Sequence, residues 1–264
     1  MPQAVEQRAV GPTGSGALHV DASKTVIVMP AYNAAKTLEW TLGRIPQGIA
    51  DRIILVDDGS RDGTATLAES LDLLVIAHPH NAGYGANQKT CYMEALREGA
   101  DTIVMLHPDG QYDPAILDQM VAAIQSGKCD VVLGSRFLTP GGARAGGMPW
   151  WKRISNRFLT GCENLVLGLG LSEYHTGYRA YSRKFLETVP FLRNSNDFVF
   201  DTQILTQAAH FKFKIAEVPV TTRYFAEASS VNFRVSAVYG LKTVWAVARY
   251  QLHRMGLHSK RYAP

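Results

Sequence analysis

The sequence predicts an α/β fold, and three observations carry that reading. Short apolar runs alternate with segments of helical character, and polar clusters follow directly after several of the runs. With 264 residues and 46% hydrophobic content, the chain can also bury the full core of one large domain.

The apolar runs lie at 25–29, 53–56, 73–76, 102–106 and 131–133, each short enough for a strand buried in a sheet. Helical segments at 34–45, 62–71, 86–98 and 114–126 separate them, the order expected of right-handed βαβ units on a largely parallel sheet. Further on come a glycine-rich stretch at 141–147, read as a mobile connection, and helices at 150–167 and 200–210. A strand-like segment follows at 213–220. Tyr32-Asn33, Asp57-Asp58 and His107-Pro108-Asp109 each follow a strand, so they would gather at the carboxyl edge of the sheet, where open α/β folds bind ligands. Two adjacent carboxylates at the end of a buried strand are costly unless something polar meets them there.

Composition excludes several classes. No run approaches the roughly 18–20 apolar residues of a membrane-spanning helix, and the first residues lack the order of a signal peptide, so a cytoplasmic location is expected. Cys91, Cys129 and Cys162 are far apart and without metal spacing, which argues against a disulfide framework or a zinc site. The whole chain carries a net charge of +4, yet six cations and no acid follow Glu227, so the basic part is the tail. No nucleic-acid reader motif accompanies that charge. Residues 1–22, with Gly11-Pro12-Thr13-Gly14-Ser15-Gly16, read as a flexible leader. From 231 to 257, Val238, Leu241, Trp245, Ala248, Leu252 and Met255 recur every three or four residues beside Lys242, Arg249 and Arg254. This is the pattern of a basic amphipathic helix lying on an anionic membrane; the alternative is packing on the domain or on a second subunit of a homodimer.

Six elements stand in a telling order: Pro30-Ala31-Tyr32-Asn33; residues 56–64; Asn81-Ala82-Gly83-Tyr84-Gly85-Ala86; His107-Pro108-Asp109-Gly110-Gln111-Tyr112; Gly134-Ser135-Arg136-Phe137; and His175-Thr176-Gly177-Tyr178-Arg179. Over roughly 24–225 the chain resembles the family-two glycosyltransferases, in particular the dolichol-phosphate and polyprenyl-phosphate sugar transferases. The resemblance implies a GT-A fold with a Rossmann-like, mostly parallel sheet, a catalytic domain over 23–230 and a basic amphipathic tail over 231–264. It also implies an inverting, metal-dependent hexosyltransferase that uses a UDP- or GDP-sugar and a polyprenyl phosphate at the membrane surface.

Site roles follow from the same resemblance. Pro30, Ala31, Tyr32 and Asn33 would line the base and ribose pocket, and Asp58 would accept N–H donors from the base; the alternative for Asp57 and Asp58 is to cap the helix that starts near Asp62. Asp109 would hold Mn²⁺ or Mg²⁺ against the leaving diphosphate, with Gln111 and His107 as further ligands. The family often has Asp-x-Asp where this chain has His107-Pro108-Asp109, and imidazole suits Mn²⁺ better than Mg²⁺. Arg136, Arg153 and Arg179 would bind phosphate groups, whereas Lys152, Arg157, Arg183 and Arg193 read as surface charges. Gly83-Tyr84-Gly85 fits a nucleotide loop or close packing, and His175 an acceptor-site residue or a packed histidine. Asp201 stands where the family's base falls, or is simply a helix N-terminal charge. A phosphate acceptor needs no base; transfer to a hydroxyl of a glycan, metabolite or protein would use Asp201. The altered carboxylate at His107 leaves a third reading, an inactive nucleotide-sugar binding module.

Overall fold

The computed structural model describes residues 23–223 and 233–263. The expected leader at 1–22 lies outside the described residues, as does the start of the expected tail.

Strands β1 (Thr25–Ala31), β2 (Arg52–Asp57), β3 (Leu74–Ala77), β4 (Thr102–Met105), β5 (Val131–Ser135), β6 (Arg179–Ser182) and β7 (Ile215–Pro219) form one sheet in the order β3-β2-β1-β4-β6-β5-β7. All pairings are parallel except those of β6, which runs antiparallel to both β4 and β5. The sequence reading took the segment containing β6 only as a motif, because Tyr178-Arg179-Ala180-Tyr181 puts an arginine in what must be a central strand.

Alternation along the strands divides the core into two layers. Val26, Val28, Ile54, Val56, Ile103, Met105, Val131 and Leu133 face one side, where they meet Tyr92 of α3 (Tyr84–Arg97) and Phe200 and Ile204 of α8 (Phe200–His210). Ile27, Met29, Leu55, Val104 and Val132 face the other, against Leu38 of α1 (Ala35–Leu42), Ala68 of α2 (Thr64–Ser70) and Met120 of α4 (Leu117–Gln125). Helices on both faces leave the strands no solvent side, so their residues are apolar almost without interruption.

The glycine-rich stretch is built rather than loose. It contains the short helix α5 (Gly142–Ala145), and Gly146 lies so close to Thr222 that a Cβ there would stand 2.4 Å from the Thr222 carbonyl oxygen. Helix α6 (Trp150–Leu167) follows, and α7 (Arg183–Thr188) is capped by Ser182, whose hydroxyl accepts from the Phe185 N–H. The tail forms α9 (Phe233–Arg254), which packs on α6 and α8, and a terminal turn bonds back through Arg193 to the carbonyls of Lys260 and Ala263.

Candidate functional site

A cavity of about 670 Å³ opens beyond the carboxyl ends of β1, β2 and β4, as the topology of the sheet requires. Its walls include the predicted Pro30, Ala31, Tyr32, Asp58, His107, Asp109, Gln111, Arg136 and Asp201, so five separate chain segments meet in one place.

Asp58, at the end of β2, is buried and already occupied on three sides. Its Oδ1 accepts from Ala82 N at 2.8 Å and lies 2.8 Å from His78 Nδ1, while Oδ2 accepts from Gly83 N at 3.0 Å. One acceptor position of the carboxylate remains for a ligand N–H. Asp57 instead holds the turn, accepting from Ser60 N, and Asp62, one residue before the N-cap Gly63 of α2, accepts from Thr64 N and Ala35 N. Asn33 is a correction: it is not on the cavity wall. Its backbone takes φ 52°, its side chain accepts from Arg61 N and its N–H donates to Ser60, so it locks the two loops together.

Gly83 and Gly85 serve close packing rather than a phosphate loop of their own. A Cβ at Gly83 would fall 2.5 Å from the Asn196 carbonyl oxygen, and one at Gly85 would fall 2.4 Å from that of Ser195. This brings the 195–198 loop, with Asp197 and Phe198, to the rim of the cavity.

His107 stacks on Tyr84, with ring centroids 5.7 Å apart, and touches Gly177, where a Cβ would lie 2.9 Å from the imidazole. Burial pushes its pKa below the ordinary 6.5, despite the opposing pull of Asp109 and Asp201, so the ring is held neutral. Asp109 Oδ1 accepts from Gln111 N at 3.0 Å, the turn that directs both residues into the cavity. Among the described residues no three His, Cys, Asp or Glu side chains group to hold a metal by themselves.

The three arginines separate. Arg136 reaches the cavity, but its guanidinium is clamped by Glu173: Nε donates to Oε1 at 2.9 Å, Nη2 donates to the same oxygen, and the backbone N–H donates to Oε2 at 2.8 Å. Asn156 also donates to Glu173, and Glu217 accepts from the N–H groups of Ser172 and Glu173, fixing that segment. Burial raises the Glu173 pKa, yet the Arg136 charge and these hydrogen bonds outweigh it and hold the carboxyl below 4.5. Arg179 is a correction. It is fully buried in β6 beneath the cavity floor, donating to the carbonyls of Thr176, Tyr174 and Asp201, because a central strand carries its side chain into the core layer. Arg153 is likewise absent from the wall; it is half-buried on α6, its Nε enclosed without a partner. Lys152 takes its place. Expected at the surface, it lines the cavity instead, where burial and the nearby Arg136 lower its pKa.

Asp201 lies in the first turn of α8 at the cavity floor. Tyr84 Oη donates to Oδ2 at 2.9 Å, Gln88 donates to Oδ1 at 3.1 Å, and Arg179 Nη2 stands 3.4 Å from Oδ2. Nearby, His175 Nδ1 lies 2.8 Å from the Tyr239 hydroxyl of α9 and its Nε2 3.0 Å from buried Glu163 of α6. Sequence reasoning missed Glu163, Glu173 and Glu217, since each is an isolated carboxylate in no motif.

This arrangement can bind a nucleotide against β1 and β2, phosphate groups near Asp109, Arg136 and Lys152, and a second substrate toward α6 and α9. The model of the family "Glycosyl transferase family 2" matches residues 26–189. Polyprenol monophosphomannose synthase of Mycolicibacterium smegmatis is 30% identical over 206 residues, covering 75% of this chain and 77% of that protein. The UDP-N-acetylglucosamine–dolichyl-phosphate N-acetylglucosaminyltransferase of Methanococcus voltae is 27% identical, covering 75% and 85%. Among solved structures, glucosyl-3-phosphoglycerate synthase from Mycobacterium tuberculosis in complex with UDP superposes with a TM-score of 0.67 at 18% identity, over 86% of this chain and 80% of that one, which establishes the shared GT-A fold. With a family model spanning more than half its length and the cavity placed where the fold demands, the chain belongs to glycosyltransferase family 2.

Proposed function

We propose that this glycosyltransferase moves a hexose, with inversion, from a UDP- or GDP-sugar to a polyprenyl phosphate. The observation that carries the choice of acceptor is the engagement of Asp201. A base for a hydroxyl acceptor needs a carboxylate free to take a proton, but Asp201 accepts from Tyr84 and Gln88 and balances the buried charge of Arg179. Protonating it would leave a buried guanidinium uncompensated. A phosphate monoester is already ionised near neutral pH and requires no base. Two relatives, one named a polyprenol monophosphomannose synthase and one a dolichyl-phosphate N-acetylglucosaminyltransferase, support the same reading.

An oxygen of the acceptor phosphate attacks the anomeric carbon while the bond from that carbon to the donor diphosphate breaks, so an α-linked donor yields a β-linked product. The nucleoside diphosphate leaves with the electron pair, and no proton moves. Arg136, oriented by Glu173, and Lys152 stabilise the phosphate charge. Pro30, Ala31 and Tyr32 hold the base and ribose, and Asp58 accepts one base N–H.

The donor set fits a divalent cation that arrives with the nucleotide. Asp109, the neutral imidazole of His107 and Gln111 beside them would hold such an ion, and they are too few to do so without the substrate. When bound, such an ion neutralises charge on the departing diphosphate. Solved structures of the same fold hold Mn²⁺ with UDP-glucose, or Mg²⁺ with UDP. The chain would act at the cytoplasmic face of a membrane, from which the acceptor is drawn; no helix among the described residues is long and apolar enough to cross one.

The test is release of nucleoside diphosphate from a panel of UDP- and GDP-sugars with Mn²⁺, with and without a short-chain polyprenyl phosphate. Release that rises only with the lipid phosphate, together with a new glycolipid, is expected and would name the donor. Donor hydrolysis without glycolipid would overturn the acceptor assignment. Absence of both transfer and hydrolysis would favour a binding module.

A further inference from the structure

One short segment closes the end of the cavity beside β2. After β3, residues 78–83 turn back over Asp58: the His78 N–H donates to the Asp57 carbonyl at 2.8 Å, and the N–H groups of Ala82 and Gly83 donate to the Asp58 carboxylate. Gly59, at φ 74°, seats the facing loop so tightly that a Cβ there would fall 2.9 Å from Asn81 N. Backbone bonds and close packing thus fix the segment on β2, and Asn81 and Gly83 share the cavity wall with Asp58.

His78 decides how much of Asp58 a ligand can use. A carboxylate that accepts from two backbone N–H groups has only acceptors to offer, so the 2.8 Å contact between His78 Nδ1 and Oδ1 is an N–H donated by the imidazole. The other ring nitrogen, Nε2, lies 3.0 Å from Thr90 Oγ1 of α3, which fixes the plane of the ring. Oδ1 therefore carries two donors, from His78 and Ala82, and Oδ2 carries one, from Gly83. Of the roughly four acceptor sites of a carboxylate, one is left, on Oδ2. Burial agrees, since only 4% of the Asp58 side chain is exposed. His78 is not on the cavity wall, so it acts on a ligand only through Asp58.

Nucleobases differ in what they ask of such a carboxylate. Uracil has a single N–H on its pairing edge, N3–H, set between two carbonyls. Guanine presents two donors side by side, N1–H and the 2-amino group, which call for both oxygens at once. Against Asp58, guanine would bury one N–H without an acceptor, and sites built on hydrogen bonds discriminate strongly when a buried group is left unpaired.

We infer that the donor is a UDP-sugar, and that His78 sets this choice by filling the second acceptor position on Asp58 Oδ1. The inference rests on the nucleotide-sugar reading above and narrows its donor to one base. His78 is a positioning residue: it touches no substrate, and removing it returns an acceptor to the carboxylate.

The experiment is calorimetric binding of UDP, GDP and N3-methyl-UDP to the full chain with Mn²⁺ and no acceptor. The three share a diphosphate, so differences report the base. UDP should bind about tenfold or more tightly than GDP, and methylation of N3 should cost a similar factor. His78→Ala should lower the UDP-to-GDP ratio by about tenfold, whereas His78→Asn, whose side-chain amide can donate from near the Nδ1 position, should keep the wild-type ratio. A loop merely loosened by the substitution would weaken both nucleotides alike and leave the ratio unchanged. GDP binding as tightly as UDP, N3-methyl-UDP binding as tightly as UDP, or an unchanged ratio in His78→Ala would overturn the inference. Glycolipid formed from GDP-sugars in preference to UDP-sugars would overturn it while leaving the acceptor reading intact. Binding of no nucleotide at all would refute the donor reading beneath it.

Discussion

Arg179 Nη2, fully buried beneath the cavity floor, stands 3.4 Å from Oδ2 of Asp201 in the floor itself, so the carboxylate best placed to act as a base is committed to a structural charge. Burial works against the Arg179 charge, but Asp201 and the Tyr181 and Tyr84 hydroxyls outweigh it and hold its pKa well above the ordinary arginine value. Breaking such a pair costs about 3–5 kcal/mol, because one ion is left uncompensated. The expectation is that Asp201→Asn and Arg179→Met each lower stability by that order, and that Asp201→Leu combined with Arg179→Met recovers much of the loss. Urea unfolding of the three variants checks it; a fully stable Asp201→Asn protein would contradict a structural role for the pair.

Glu173 carries a pH signature. Since pairing with Arg136 holds its folded pKa below 4.5, the unfolded chain takes up this proton at a higher pH than the folded one. The stabilisation is whole above pH 4.5 and drains away as the pH falls through the lower folded value. In Glu173→Gln, neutral-pH stability should fall by about 3 kcal/mol and this part of the acid dependence should vanish. Thermal unfolding between neutral and acid pH measures both.

Much of this was legible in the chain, for reasons that particular residues make plain. Buried parallel strands must be continuous apolar runs, so β1, β2 and β4 were visible, and α6 and α8 fell at the expected 150–167 and 200–210. Strand β6 was not, because Arg179 looks like a ligand group until its pairing with Asp201 is seen. The cavity wall from Pro30 to Tyr32, Asp58 and the His107–Gln111 turn was readable from strand ends, which topology brings together whatever the loops do. Lys152 and Glu173 were not, since a solvated lysine and a cavity lysine share one sequence signal and only packing separates them.

Removing the carboxylate at Asp109 should abolish metal-dependent turnover. Loss of a ligand that helps offset diphosphate charge is worth several kcal/mol, so Asp109→Asn should fall by at least about 100-fold in kcat/KM. Because neutral imidazole favours Mn²⁺ over Mg²⁺, His107→Asp should shift the preferred ion toward Mg²⁺. Turnover across titrations of the two ions decides the point; an unchanged preference would remove His107 from the metal's surroundings.

Glycine substitutions should separate close packing from open surface. Gly85→Ala places a Cβ 2.4 Å from the Ser195 carbonyl oxygen and 2.8 Å from Phe200, which should cost about 1–3 kcal/mol and disturb the cavity rim. Gly161→Ala on the exposed side of α6 meets nothing within 4 Å and should stabilise by about 0.5–1 kcal/mol. Thermal melts of the two variants should therefore move in opposite directions.

The acceptor assignment is tested most directly by offering the enzyme, at saturating nucleotide sugar and Mn²⁺, a polyprenyl phosphate and the matching polyprenol of equal chain length. Glycolipid from the phosphate and none from the alcohol is the predicted result. Efficient transfer to the alcohol, lost in Asp201→Asn, would show that Asp201 is free to serve as a base and would contradict the account.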